Sequence, residues 1–481
     1  MCKHRGERTS RHSHFWFCKH VRTHSSTGRS HRESSHVLNM FFSICFRVNE
    51  SFHPRAIEDI HNIDESFEEM ADASYSEEWL ESTCRGLQCN DPDIRDVEID
   101  PGENSFDDQA VMNLSDALRR NAVVTRLVLR NIDIGKGGPL YLAPMLKNTK
   151  SIRALHLEDV RGEGHMAVAT ALSLNSMSSI ETLHLKGNHV DLRSAEALGL
   201  MLTMNCSLTE LRLCHNIIDP ECISSLAHGL KKNRGLKILD LLGNGLGDVA
   251  VSKIARALAC NNTLEFLCLD FNEFGSPGVQ AIANMLRHNE CLEELHLFGN
   301  RIDATGAQSL ADALCYNKTL KTLILSFNQI GDDGAAALAR ALTVNTSLTK
   351  IWFPSNYIGN DGLHAFGENL PRMKGLEQLH VGDFFDNEAA ESLLEGLKLN
   401  MRLSVLNMES PVYDDGWMDD ELDFYLRLNK CGRSLLQAPT APASLWATAL
   451  ARANLNESAE DYPDVLYYLL REKPDLFEFR A

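Results

Sequence analysis

The chain has no Gly-x4-Gly-Lys-(Ser/Thr) segment in its 481 residues, so no backbone cradle for nucleotide phosphates has a candidate. It has no apolar run near the ~20 residues that a helix needs to cross a bilayer. The run Val37 to Val48 is too short. The N-terminus lacks an apolar core followed by small residues, so no secretory signal is expected. Basic charge is scarce: 47 Lys and Arg stand against 66 Asp and Glu, a net −19. Residues 1–56 contribute a net +7, which leaves −26 on the rest. Phosphate contacts need clustered cations, so nucleic acid is a poor partner for such a surface. No Ser/His/Asp or Cys/His set stands out, and no enzyme activity or cofactor is expected. The 13 cysteines, an odd and scattered number, argue for reduced thiols in the cytosol or nucleus rather than a disulfide framework.

What the chain has is a period. An apolar residue opens one phrase at Val124, Ile152, Ile180, Leu208, Leu236, Leu264, Leu292, Leu320, Leu348 and Leu376, at an interval that never changes, and again at Leu403, one position early. Good copies read LKILDLLGNGL from Leu236, LEELHLFGNRI from Leu292 and LKTLILSFNQI from Leu320. Alternation such as Leu323 and Leu325 puts the apolar side chains on one face of a short strand, with Thr322, Ile324 and Ser326 expected on a solvated opposite face. An Asn then closes the strand at Asn188, Asn216, Asn244, Asn272, Asn300, Asn328 and Asn356. There the chain must turn inward, and a carboxamide can donate and accept at once, so these seven are expected to form a structural ladder. The rest of each repeat spaces apolar and small residues by three and four, as in Gly334, Ala337, Leu338, Ala341 and Leu342, which is a helical stripe.

The pattern L-x-x-L-x-L-x-x-N-x-L at a fixed period is the signature of leucine-rich repeats. The period, about 28 residues and so at the long end of the leucine-rich range, resembles the ribonuclease-inhibitor type, shared by the repeat domains of NOD-like receptors and by Ran GTPase-activating proteins. The resemblance implies an α/β solenoid, a horseshoe with parallel strands on the concave face and helices on the convex face. It covers roughly residues 94–410. The Asn position holds Ile132, Val160, Phe384 and Pro411 in the end repeats, as expected of repeats that cap a stack. A half-phrase at Ile94, Val97 and Ile99, with a stripe at Leu114, Ala117, Leu118 and Asn121, reads as an N-terminal cap.

The flanks differ. Residues 1–56 are His-, Ser- and Arg-rich without periodicity, and a disordered arm is expected. Their Cys2, His4, Cys18, His20 and His24 do not match a zinc-binding spacing. Residues 57–93 form an acidic segment of helical character. Residues 411–481 read as an acidic linker and a small helical C-terminal tail, with helices near 417–430, 444–453 and 463–472. The sequons at Asn205, Asn261, Asn317 and Asn345 fall in one repeat column and are by-products of the period.

Because the period is fixed, the concave positions can be read by column. His156, His184, His296 and His380 share one, and His156 with His184 and Glu158 is the nearest thing to a metal set, though a solvated face is expected and no metal. Cys268 reads as a small apolar filler. Early repeats are basic at Arg126, Arg130, Arg153, Lys186 and Arg212. Repeats five to nine add large apolar groups. Aromatic and Arg side chains on a rigid surface concentrate binding energy, so the candidate protein-binding residues are Arg212, Ile238, Asp240, Leu242, Phe266, Asp270, Phe298, Ile324 and Trp352. The function expected is a monomeric, non-enzymatic scaffold that grips a protein partner on the concave face. The resemblance also allows an activator of a Ran-type GTPase. Removal of residues 1–56 should leave the melting temperature within a few degrees of the full chain, read by calorimetry. A large drop would mean that the arm packs.

Overall fold

The computed structural model describes residues 76–434, apart from short breaks at 103–105, 135–137, 161–163, 175–178, 383–385 and 409–416, and a few residues of the tail beyond. The expected arm at 1–56 and the helices near 444–453 and 463–472 lie outside the described residues or almost wholly so. A helix, α1 (Glu77–Cys89), precedes the first strand, and α13 (Trp417–Lys430) follows the last.

Among the described residues, twelve parallel strands form one sheet: β1 (Asp96–Ile99), β2 (Arg126–Arg130), β3 (Ala154–Glu158), β4 (Thr182–His184), β6 (Glu210–Arg212), β8 (Ile238–Asp240), β9 (Phe266–Cys268), β10 (Glu294–His296), β11 (Thr322–Ile324), β12 (Lys350–Trp352), β13 (Gln378–Val381) and β14 (Val405–Met408). Two short strands, β5 (His189–Val190) and β7 (Ile217–Ile218), pair separately. The register follows the period, with Leu295 opposite Leu267 on one side and Leu323 on the other. The half-phrase at Val97 and Ile99 supplies β1, which pairs with β2 like any other rung.

Each strand returns through a helix. The best formed include α7 (Asp248–Leu258), α8 (Ser276–Leu286), α9 (Ala304–Leu314) and α10 (Gly331–Leu342), and each packs on the next. Asp303 caps α9 by accepting from the amides of Thr305 and Gly306. Leu310 and Leu314 of α9 are fully buried in the same core as Leu295 and Leu297. Small residues are required where helices meet: a Cβ on Gly334 would lie 2.6 Å from Ile330 Cγ2 and 2.9 Å from Ala307 Cβ. Neighbouring strands lie ~4.8 Å apart while packed helices need ~8–10 Å. With every helix on one side, the sheet must curve and the strands take the inner radius. The protein is an α/β leucine-rich repeat solenoid.

Two ladders of Asn hold the rungs together. Asn300 Nδ2 donates to Leu269 O of the preceding repeat at 3.0 Å and to Leu297 O and Phe298 O at 3.1 Å. Its Oδ1 accepts from Asn272 N at 3.2 Å. Asn272 repeats the pattern, reaching Leu241 O and accepting from Leu246 N. A second ladder stands at the helix exits. Asn289 Nδ2 donates to Leu258 O at 2.9 Å and its Oδ1 accepts from Leu292 N at 2.8 Å. Asn205, Asn261, Asn317 and Asn345 belong to this ladder and are buried, their amide nitrogens donating to backbone carbonyls, so a glycan there would require the repeats to open.

One expectation is corrected. The alternate strand positions do point to the concave side, but most of their middle column is buried rather than solvated. Asp240, Ile324 and Trp352 are only 3%, 5% and 4% exposed, and His156, His184, His296 and His380 are also buried. Curvature draws the tips of in-register side chains closer than their backbones, so each packs between its neighbours. His156 stacks on His184 at 4.0 Å, and Trp352 lies 4.6 Å from His380.

Asn300→Ala leaves the Asn272 amide without its acceptor and removes one donor from the carbonyls of Leu269, Leu297 and Phe298, which keep Asn272 Nδ2, Asn328 Nδ2 and Phe271 N. At ~1–3 kcal/mol for a buried group left unsatisfied, a loss of about 1–3 kcal/mol is expected in chemical denaturation. A loss below ~0.5 kcal/mol would mean that water replaces the carboxamide.

Candidate functional site

The concave side divides into three zones. Over β1–β6 the arginines Arg126, Arg130, Arg153 and Arg212 are already paired. Arg130 bridges Glu98 and Glu158, the latter at 2.9 Å. Arg126 faces Glu98 at 3.8 Å, and Arg153 meets Glu181 at 2.8 Å. Glu210 Oε1 accepts from Arg212 Nε at 2.6 Å and lies 3.1 Å from His184 Nε2. Burial pushes the Glu210 carboxyl up, but the hydrogen bonds from His184 and Arg212 outweigh it and hold the group at about 2. Burial, aided by the nearby charges of His184, Arg126 and Arg130, drops His156 to about 2, so its ring stays neutral. Lys186 aside, the basic character of these columns is spent internally.

Over β8–β10 the floor is polar and buried. Asp240, Cys268 and His296 are consecutive Cα partners across the three strands. Asp270, two residues beyond Cys268, accepts from Phe298 N at 2.7 Å. Its second oxygen lies 3.8 Å from His296 Nδ1. His296 Nε2 is 2.7 Å from Glu294 Oε1. Burial pushes Asp270 up to about 6 and raises Cys268 well above its ordinary range.

The third zone lies just past the strands. The residue preceding each ladder Asn takes a left-handed backbone: Gly187, Gly243 and Gly299, but also His215 (φ 54°), Phe271 (φ 50°), Phe327 (φ 58°) and Ser355 (φ 59°). Phe271 and Phe298 stand 4.8 Å apart, and Phe298 and Phe327 4.9 Å. Gly299 leaves room for this run, since a Cβ there would lie 2.8 Å from the Phe271 ring. Phe327 is 41% and the nearby Tyr357 77% exposed.

The candidate residues therefore part company. Arg212, Ile238, Leu242, Phe266, Asp270 and Phe298 are half-buried on the concave side, and Asp240, Ile324 and Trp352 are buried in its floor. Phe271, Phe327 and Tyr357 were not among the candidates. For the two Phe, the signal was a large aromatic in the column where other repeats place Gly. The grouping of Cys268, Asp270 and His296 was also missed, although the fixed period places them on adjacent rungs.

Four segments match the family model described as "Leucine Rich repeat", at residues 232–255, 260–283, 288–311 and 316–339, stepping by the same interval as the phrases. No curated protein matches the chain. Among solved structures, the actin-binding site 2 of leiomodin-1 is 21% identical, covering 34% of this chain and 80% of its own, with a TM-score of 0.23. An internalin, InlF, from Listeria monocytogenes is 18% identical, covering 63% and 83%, with a TM-score of 0.36. Both likenesses are too loose to carry a partner over. Among the described residues no helix is long and apolar enough to cross a membrane, and the described cysteines form no disulfide.

Because His156 is held at about 2 in the fold and near 6.5 when unfolded, the unfolded chain binds the extra proton between those values. Stability is thus lost as pH falls below about 6.5. His156→Gln should flatten denaturation midpoints between about pH 6.5 and 4.5, by up to ~1.4 kcal/mol per pH unit. An unchanged slope would place the titration elsewhere.

Proposed function

We propose that this chain, a leucine-rich repeat protein, is a non-enzymatic scaffold that holds a protein partner along the concave face and the aromatic edge beyond β9–β12. The aromatic run Phe271–Phe298–Phe327, continued by exposed Tyr357, carries the reading. A left-handed backbone costs a non-Gly residue roughly 1–2 kcal/mol, and Gly fills the same column three times nearby. Aromatic side chains placed where the turn favours Gly, and left partly exposed, supply the kind of anchor on which binding energy concentrates.

The opposite edge of the strands offers less. There Lys237 meets Glu265 at 2.6 Å and Lys321 meets Glu293 at 2.6 Å, rung to rung. Such exposed pairs contribute ~0–1 kcal/mol and leave no charge seeking a partner. With a net −26 beyond the basic N-terminal arm, a partner with apolar anchors flanked by basic residues fits this surface. Cysteines without disulfides suit a reducing compartment, cytosol or nucleus.

Trp352 sits in the floor, so Trp352→Ala is expected to cost ~3–5 kcal/mol of stability and is a poor probe of binding. Phe298→Ala with Phe327→Ala should instead weaken partner capture by ~2–4 kcal/mol, measured by titration against a partner identified by cross-linking. Val249→Ala, at an exposed helix position, should leave capture unchanged. Binding lost with Val249→Ala but kept without the two Phe would move the site to the helices. Acceleration of GTP hydrolysis by a Ran-type GTPase at catalytic concentrations of the chain would replace the scaffold reading with the activator reading.

A further inference from the structure

We propose that Cys268, Asp270 and His296 form a zinc site in the concave floor between β9 and β10, with Glu294 as the residue that orients His296. Among the described residues these three form the one set of side chains whose ligand atoms all lie within 4.8 Å of one another. They bring one sulfur, one oxygen and one nitrogen, a donor mixture that suits Zn2+ rather than Mg2+ or Ca2+. The geometry arises from the repeat. Cys268 and His296 are partners in the sheet register, and Asp270 follows Cys268 on the same side.

The groups that would hold these ligands in place are present. Glu294 Oε1, 2.7 Å from His296 Nε2, accepts a hydrogen bond from that nitrogen. The other nitrogen, Nδ1, is then left as the lone-pair atom, and it is the one aimed at Asp270. A carboxylate behind a metal-binding imidazole fixes its tautomer and raises its basicity. Phe298 N likewise pins one oxygen of Asp270 at 2.7 Å and leaves the other for a cation. Asp240, buried beside Cys268 on β8, adds negative charge that a divalent ion would offset.

Bonds of ~2.0–2.3 Å set tetrahedral ligand separations of ~3.3–3.8 Å, so closure takes about 1 Å of side-chain movement. Three protein ligands leave a fourth position to water or to Asp240. On binding, Cys268 releases its thiol proton to solvent and coordinates as the thiolate.

The test uses the full chain, stripped with chelator and titrated with Co2+ as a spectroscopic probe and with Zn2+ against a competing chelator. One equivalent of Co2+ should give a thiolate-to-cobalt absorption band. Cys268→Ser should abolish the band, Asp270→Asn should weaken Zn2+ binding at least ~10-fold, and Glu294→Gln should weaken it by ~10–100-fold. Far-ultraviolet circular dichroism identifies any variant that fails to fold, and Asp270→Asn, nearly isosteric, keeps the test available if Cys268→Ser does not fold. Absence of stoichiometric binding would overturn the proposal and leave the cluster as a protonated hydrogen-bonded network. So would a band that survives Cys268→Ser but is lost with Cys2→Ser and Cys18→Ser together, since the ion would then sit on the N-terminal arm.

Discussion

Every rung depends on what happens where a short strand stops and the chain turns inward. Such short strands satisfy few of their own backbone groups, and the turn buries the rest. The Asn carboxamide meets this demand in two directions: Asn272 donates to Leu241 O of the rung before and accepts from Leu246 N. A second set, including Asn289, does the same where the helices end. Stability thus resides in bonds between repeats, as expected of a solenoid whose units cannot stand alone. The fixed register follows from these bonds, and the concave columns follow from the register.

The same constraint shapes the surface offered to a partner. Curvature, imposed by helices that need twice the spacing of strands, packs the middle column until Asp240, Ile324 and Trp352 are buried with it. The early arginines are absorbed by Glu98, Glu158, Glu181 and Glu210. What stays open is the line just beyond the strands, where Phe327 and Tyr357 project. Recognition in the proposed scaffold therefore concentrates at an edge, while the floor beneath is preorganised by polar contacts such as Glu294–His296–Asp270.

Much of this was legible in the sequence because the period is strict. Alternation of Leu323 and Leu325 marks a strand, and the stripe Leu310, Leu314 marks a helix, each a one-dimensional pattern. Burial on the concave side was not legible, since Trp352 on a flat sheet would face water, and only the difference between strand and helix spacing encloses it. The left-handed turn hid Phe271 and Phe327, because a Phe in a column shared with Gly takes on meaning only once the φ angles are known. Cys268 read as an apolar filler because its partners come from another rung and from two residues downstream. Distances between columns, rather than their composition, make that cluster.

The most direct measurement is native-state hydrogen exchange across the whole chain with increasing denaturant. If ladder bonds couple the repeats, the amides of Asn244, Leu246, Asn272 and Ile302, all donors to ladder carboxamides, should exchange with one shared opening free energy and one denaturant dependence. Separate opening free energies, each confined to its own repeat, would contradict the claim that bonds between repeats hold the structure together.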